Sequence, residues 1–166
     1  MVTITIPTAS DAVPAQDYIA VVDLVNRLNL AFDVWDVDAM VEAFDVDAVL
    51  EHPRGGVRGH DGLRSFYANY KPVTVGVKRH HLNHVVDSNP DGTVTVTSYN
   101  LLIRIASPEQ AEKIAAATQV NDETGLPAMV THSLMEDRLR RFPERGWRII
   151  HRRVGTTVRN AAMAGH

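Results

Sequence analysis

The stretch VGVKRHHLNHVVDSNPDGTVTVTSYNLLIRI, residues 75–105, decides the fold. Its second half, from residue 93, alternates in polarity and is rich in β-branched residues, which suit a pleated and half-buried surface. Between the halves, NPDG at 89–92 combines a proline that presets φ with a glycine that accepts positive φ. The two halves therefore predict a long antiparallel hairpin. The first half also carries three of the chain's eight histidines within five positions, at 80, 81 and 84. A strand so rich in imidazole suggests a metal site, acid/base chemistry or a merely polar face.

Downstream, AMVTHSLMEDRLRRF at 128–142 and WRIIHRRVGTTV at 147–158 read as two more long strands, with PERG as the turn between them. The charge run EDRLRR at 136–141 reads as a solvated or subunit-facing strand edge. Upstream the period changes. Tyr18, Val21, Val22, Val25, Leu28 and Phe32 recur at helical spacing after Pro14, which suits a first turn. Asp36 is a good N-cap for a second, short helix with Met40 and Val41 on its apolar stripe. DAVLEH at 47–52 is a short strand, 53–62 is turn material, and LRSFYANY at 63–70 is a third helix. Ser107, Pro108 and Gln110 have the pattern of a capping box opening a helical insertion at 107–118.

Helices first and long strands after predict an α+β domain. The expected architecture is a cone-shaped curved antiparallel sheet wrapped on three N-terminal helices, with a small helical insertion between long strands. Residues 1–166 form one domain, with an arm at 1–13, the insertion at 106–126 and a mobile tail at 159–166. A pocket is expected between sheet and helices.

Composition bounds the partners. Seventeen Lys+Arg against twenty Asp+Glu give a net charge of −3, which does not favour nucleic acid or an anionic membrane. There is no cysteine, which excludes disulfides, thiolate metal sites and a cysteine nucleophile. The first residues lack a signal-peptide pattern and no apolar run is long enough for a bilayer, so a cytoplasmic protein is expected. A phosphate loop, a nucleophile elbow and a zincin motif are all missing.

Four local patterns, taken in order, resemble one family. LNLAFDVWDVDAMVEAF, VRGHDGLRSFYANY, KRHHLNHVV and RGWRIIHRRV are similar to segments of the nuclear transport factor 2-like superfamily, in its SnoaL-like branch. That group holds scytalone-dehydratase, dehydrochlorinase and polyketide-cyclase type enzymes. It also holds non-catalytic small subunits of ring-hydroxylating dioxygenases. The resemblance implies a His–Asp dyad formed by His80 and Asp33, with His80 as general base and Asp33 orienting it. It implies a cofactor-free lyase or isomerase, dehydratase-like, acting on a hydrophobic cyclic molecule, and a homodimer or homotrimer. A structural subunit and a hydrophobic-ligand binding protein are the alternatives.

Strand alternation tests the dyad. If His80 points inward, His84 does too, and His81 is solvent-exposed. Asn83 suggests a competing register, shifted by one, that would put Arg79 at the catalytic position and reverse the faces. The register with His80 inward is the one expected here. Asn100, His132, Tyr18 and Tyr67 are candidates to line the pocket and orient substrate, with Trp35 closing one end. A metal site is not expected, because His80 and His84 stand about 13 Å apart along a strand at ~3.3 Å per residue, too far for one ion.

Overall fold

The computed structural model describes residue 4 and residues 13–107, 109–111 and 125–162. The arm at 1–13, apart from Ile4 and Val13, most of the expected insertion helix and residues 163–166 lie outside the described residues. The chain order is α1 (Ala15–Val34), α2 (Val37–Glu42), β1 (Phe44–Glu51), β2 (Val57–Arg58), α3 (Gly59–Tyr70), β3 (Val77–Ser88), β4 (Val94–Arg104), β5 (Ala128–Phe142) and β6 (Gly146–Arg159). A short 3₁₀ turn at Lys71–Thr74 joins α3 to β3. The strands form one sheet in the order β2-β1-β6-β5-β4-β3.

Each helix boundary has a local cause. In α1, Val21, Val25 and Leu28 sit on one face and are fully buried, worth roughly 1.5–3 kcal/mol each on transfer from water. Trp35 adopts a left-handed conformation, φ 61°, that ends the helix, and the next N–H, of Asp36, donates back to the Ala31 carbonyl at 2.9 Å. The Asp36 carboxylate then accepts from the Ala39 N–H at 3.0 Å and starts α2.

The NPDG turn closes the β3–β4 hairpin, with Gly92 at φ 76° donating its N–H to the Asn89 carbonyl. The sheet is mixed rather than purely antiparallel, because β1 runs parallel to β6, with Leu50 opposite Arg152. β2 lies within the stretch expected to be only turn, and pairs Val57 with Leu50. The charge run on β5 is not an edge, since β5 lies between β4 and β6. Arg159, placed in the tail by the sequence, is still in β6, and the Asn160 N–H donates to the Val130 carbonyl at 2.8 Å.

One face of the sheet carries Val86, Val94, Val96, Leu139 and Ile149, which pack with α1 and α2 into the main core. That same face, further along the strands, forms the wall of the site. Ladder irregularities decide which side chains it presents. In β3 the pairing slips between Leu82 and Val85, where Asn83 takes φ 55°. The extra residue is a β-bulge, and it resets the inward set from 77, 79 and 81 to 84 and 86.

Candidate active site

Between the sheet and the helices α1 and α3 lies a cavity of about 190 Å³. An engineered cavity of ~150 Å³ holds benzene, so this one has room for a one- or two-ring molecule. Phe32 from α1, and Phe66, Tyr67 and Tyr70 from α3, supply its aromatic wall. The Phe66 and Tyr70 rings stack at 5.7 Å. The sheet supplies Arg79, His81, Asn100, Ser133, Met135 and Arg152.

The register of β3 is the one not expected from sequence. Arg79 and His81 are buried and inward, while His80 is exposed on the other face, opposite Leu101. This corrects the placement of His80 in the cavity and of His81 in solvent, although His80 still stands near enough to act on the Asp33 charge. The physical reason is the bulge at Asn83, which lets the apolar residues after it keep their core positions while the residues before it reverse. Asp33 instead accepts the Arg79 backbone N–H at 3.1 Å, and its carboxylate stands 3.6 Å from Arg79 Nη1. Burial pushes the Asp33 carboxyl above its ordinary value, against the pull of Arg79, Lys78 and His80.

His81 is held by Ser98 across the hairpin, with Nδ1 3.1 Å from the hydroxyl. Burial drives its pKa far below the ordinary imidazole value, and the charges of Arg152 and Arg79 push the same way. It is therefore a neutral imidazole in the folded protein. His84 is turned toward it, with ring centroids 6.4 Å apart, and is half-buried without lining the cavity.

The other expected residues divide. Asn100 and Tyr67 line the cavity. Tyr67 is fully buried, and burial raises its phenol above the ordinary range. His132 does not line it: it faces the opposite side of the sheet, where its ring meets Tyr99 at 4.9 Å, because it pairs with the outward Leu101. Tyr18 is exposed, and its hydroxyl reaches the His84 carbonyl at 3.5 Å. Trp35 lines a second, separate pocket with Asp33 and Lys78, its edge against Phe32.

Three contributors were missed in the sequence. Arg152 is buried and paired bidentately with Asp137 at 2.6 and 2.7 Å. Asp137 is wholly buried. Burial opposes the Arg152 charge and Asp137 more than restores it, so its pKa is raised. His52 lies against Phe66 and Tyr70, at 5.1 and 5.6 Å. Its Nδ1 accepts the Arg54 N–H at 3.0 Å, and burial lowers its pKa to about 4. The signals were present as the Asp137–Arg152 charge pair and the shifted register, but strand spacing cannot choose between registers. Among the described residues, no group of three or more His, Asp or Glu side chains is placed to hold a metal ion. No helix among them is long and apolar enough to cross a membrane.

Comparison with known proteins follows the same outline. A family model described as a SnoaL-like domain matches residues 14–153. A Nostoc punctiforme protein of unknown function with a cystatin-like fold is 20% identical, with a TM-score of 0.65 over 86% of this chain and 92% of that one. Aln2 from a Streptomyces species is 14% identical, with a TM-score of 0.70 over 87% of this chain and 93% of its own. A Catenulispora acidiphila protein in complex with S-DNPA is 18% identical, with a TM-score of 0.60 over 86% and 94%. These likenesses show the shared fold. No curated protein matches the chain in sequence.

Proposed function

The chain belongs to the SnoaL-like domain family, and from that premise we propose that it is a cofactor-free lyase or isomerase. Its substrate is a hydrophobic cyclic small molecule held in the main cavity, and His81, rather than His80, moves the proton. The observation that carries the reading is a neutral, buried imidazole fixed by Ser98 in the wall of an aromatic cavity.

In the tautomer whose Nδ1–H donates to Ser98, Nε2 keeps its lone pair. Nε2 takes a proton from a carbon next to a substrate carbonyl, and the C–H electron pair moves into the enolate. The imidazolium so formed is costly in a buried site, but it forms beside the negative oxygen it creates, so the charges appear as a pair. Return of the proton to another carbon completes a double-bond shift. Its return to a leaving hydroxyl completes a dehydration. Asp33 keeps a supporting place in this reading, because it fixes the Arg79 backbone beside His81.

A second reading is a protein that holds its ligand without turnover. It is favoured by the partner of His81, which is a hydroxyl and not a carboxylate. Exchange of α-protons for deuterium in two-ring ketones, followed by proton NMR, separates the two. The wild-type protein is expected to accelerate exchange. His81→Gln should lose about 10²–10⁴ of that acceleration, and His80→Gln should lose none. Ketones that bind but exchange no faster than in buffer would sink the catalytic reading and leave the binding one.

A further inference from the structure

We propose that the cavity takes an organic acid, a one- or two-ring molecule whose carboxylate seats on the guanidinium fork of Arg79. The proposal deepens the reading above and rests on its premise that the cavity is the ligand site, but it does not require His81 to move a proton.

The side chain of Arg79 is 5% exposed, yet neither Nη1 nor Nη2 has a hydrogen-bond partner. A buried charged donor without an acceptor is rare and expensive, so the open fork marks a missing acceptor. Asp33 does not fill that place. It stands 3.6 Å from Nη1, an ion-pair distance too long for a hydrogen bond, and the same oxygen already accepts the Arg79 backbone N–H. Burial pulls the guanidinium below its ordinary pKa, and the Tyr70 hydroxyl and Asp33 carboxylate, close enough to draw on its N–H groups but without hydrogen-bond geometry at Nη1 or Nη2, offset only part of that. The guanidinium also packs 4.6 Å over the Phe32 ring and 5.9 Å from that of Tyr70. A fixed planar fork with two free nitrogens matches the two oxygens of a carboxylate, and the rings that hold it match an aromatic or alicyclic body.

The charge around the cavity points the same way. Arg54, Arg79, Arg152 and Arg159 line it, and no Asp or Glu does among the described residues. Arg152 is already satisfied by Asp137, which leaves Arg79 as the buried cation open to a ligand. Asn100, on β4 opposite His81 and two rungs from Arg79, presents an amide oxygen that is buried without a donor among the described residues. It offers an acceptor to a hydroxyl carried by the same ligand.

The test is calorimetric titration with naphthoate and with naphthamide, which has the same shape without the charge. Naphthoate should bind the wild-type protein about tenfold tighter or better. Arg79→Gln should bring the two ligands within about twofold, and Arg79→Lys, charged but without a fork, should fall between. Naphthamide binding as tightly as naphthoate would overturn the proposal, as would an acid preference that survives Arg79→Gln or no binding of either probe. The wild-type comparison decides even if the variants fail to fold. His81→Gln separates this proposal from the catalytic one: it should abolish proton exchange while the preference for the acid remains.

Discussion

Asp137 and Arg152 face one another across β5 and β6, both buried and joined by two hydrogen bonds of 2.6 and 2.7 Å. Arg152 also lies 5.6 Å over the Phe44 ring. The pair ties the two central strands together, and Arg152 forms part of the cavity wall. Asp137→Ala leaves the guanidinium buried and uncompensated, and should cost about 3–5 kcal/mol, seen as a fall of roughly 10 °C in Tm. Replacing both residues by Leu and Met should recover most of that loss. A single variant as stable as the wild type would show that the pair is not closed in solution.

The bulge at Asn83 is equally open to test. Asn tolerates the left-handed region and a β-branched residue does not. Asn83→Val should therefore destabilise by about 1–2 kcal/mol, and Asn83→Gly should be neutral to within about 0.5 kcal/mol. Urea denaturation measures both. Equal stability of the Val variant would mean that β3 runs without the bulge, which would return His80 to the inward face.

Most of the fold was legible because long elements repeat their signal many times. The four long strands and α1 each span more than ten residues, and Asp36 and NPDG mark their own turns. The site was less legible, because it depends on single-residue events. One positive φ at Asn83 exchanges Arg79 and His81 for His80, and one rung of β4–β5 pairing sends His132 outward. Alternation is as regular in either register, so only the three-dimensional packing after the bulge selects one. Asn100 and Tyr67 were found because each lies on an element whose facing did not depend on that choice.

Gly76 stands where the chain enters β3, at φ 73°, with its carbonyl accepting the Ile105 N–H at 2.8 Å. A Cβ at this position would run into the Ala106 carbonyl oxygen. That contact is with backbone, which cannot swing aside as a side chain does. Gly76→Ala should cost about 2–3 kcal/mol from the left-handed strain and the clash together. Thermal unfolding gives the number, and a loss below about 0.5 kcal/mol would mean that the entry to β3 is free to shift.

Acid should weaken the fold before any carboxylate of ordinary pKa is protonated. In the unfolded chain His52 and His81 take up protons near pH 6.5. In the folded protein burial holds His52 neutral down to about 4 and His81 lower still. His84 shifts in the same direction. Below pH 6.5 the unfolded state therefore binds more protons than the folded one, so stability is full above that pH and is lost as the pH falls. The slope is at most ~1.4 kcal/mol per pH unit for each histidine. Arg152 and Arg79 sharpen the effect at His81, since both repel its charged form. Asp33, with its raised pKa, works in the opposite sense at lower pH, which makes pH 7 to 5 the clean window. Urea unfolding at the two ends should differ by about 2–4 kcal/mol, the lower figure allowing for the part exposure of His52. His81→Gln should remove about half of the difference, because glutamine has no proton to take up. A stability that stays flat from pH 7 to 5 would mean that these imidazoles reach water, and the buried base of the proposed mechanism would go with them.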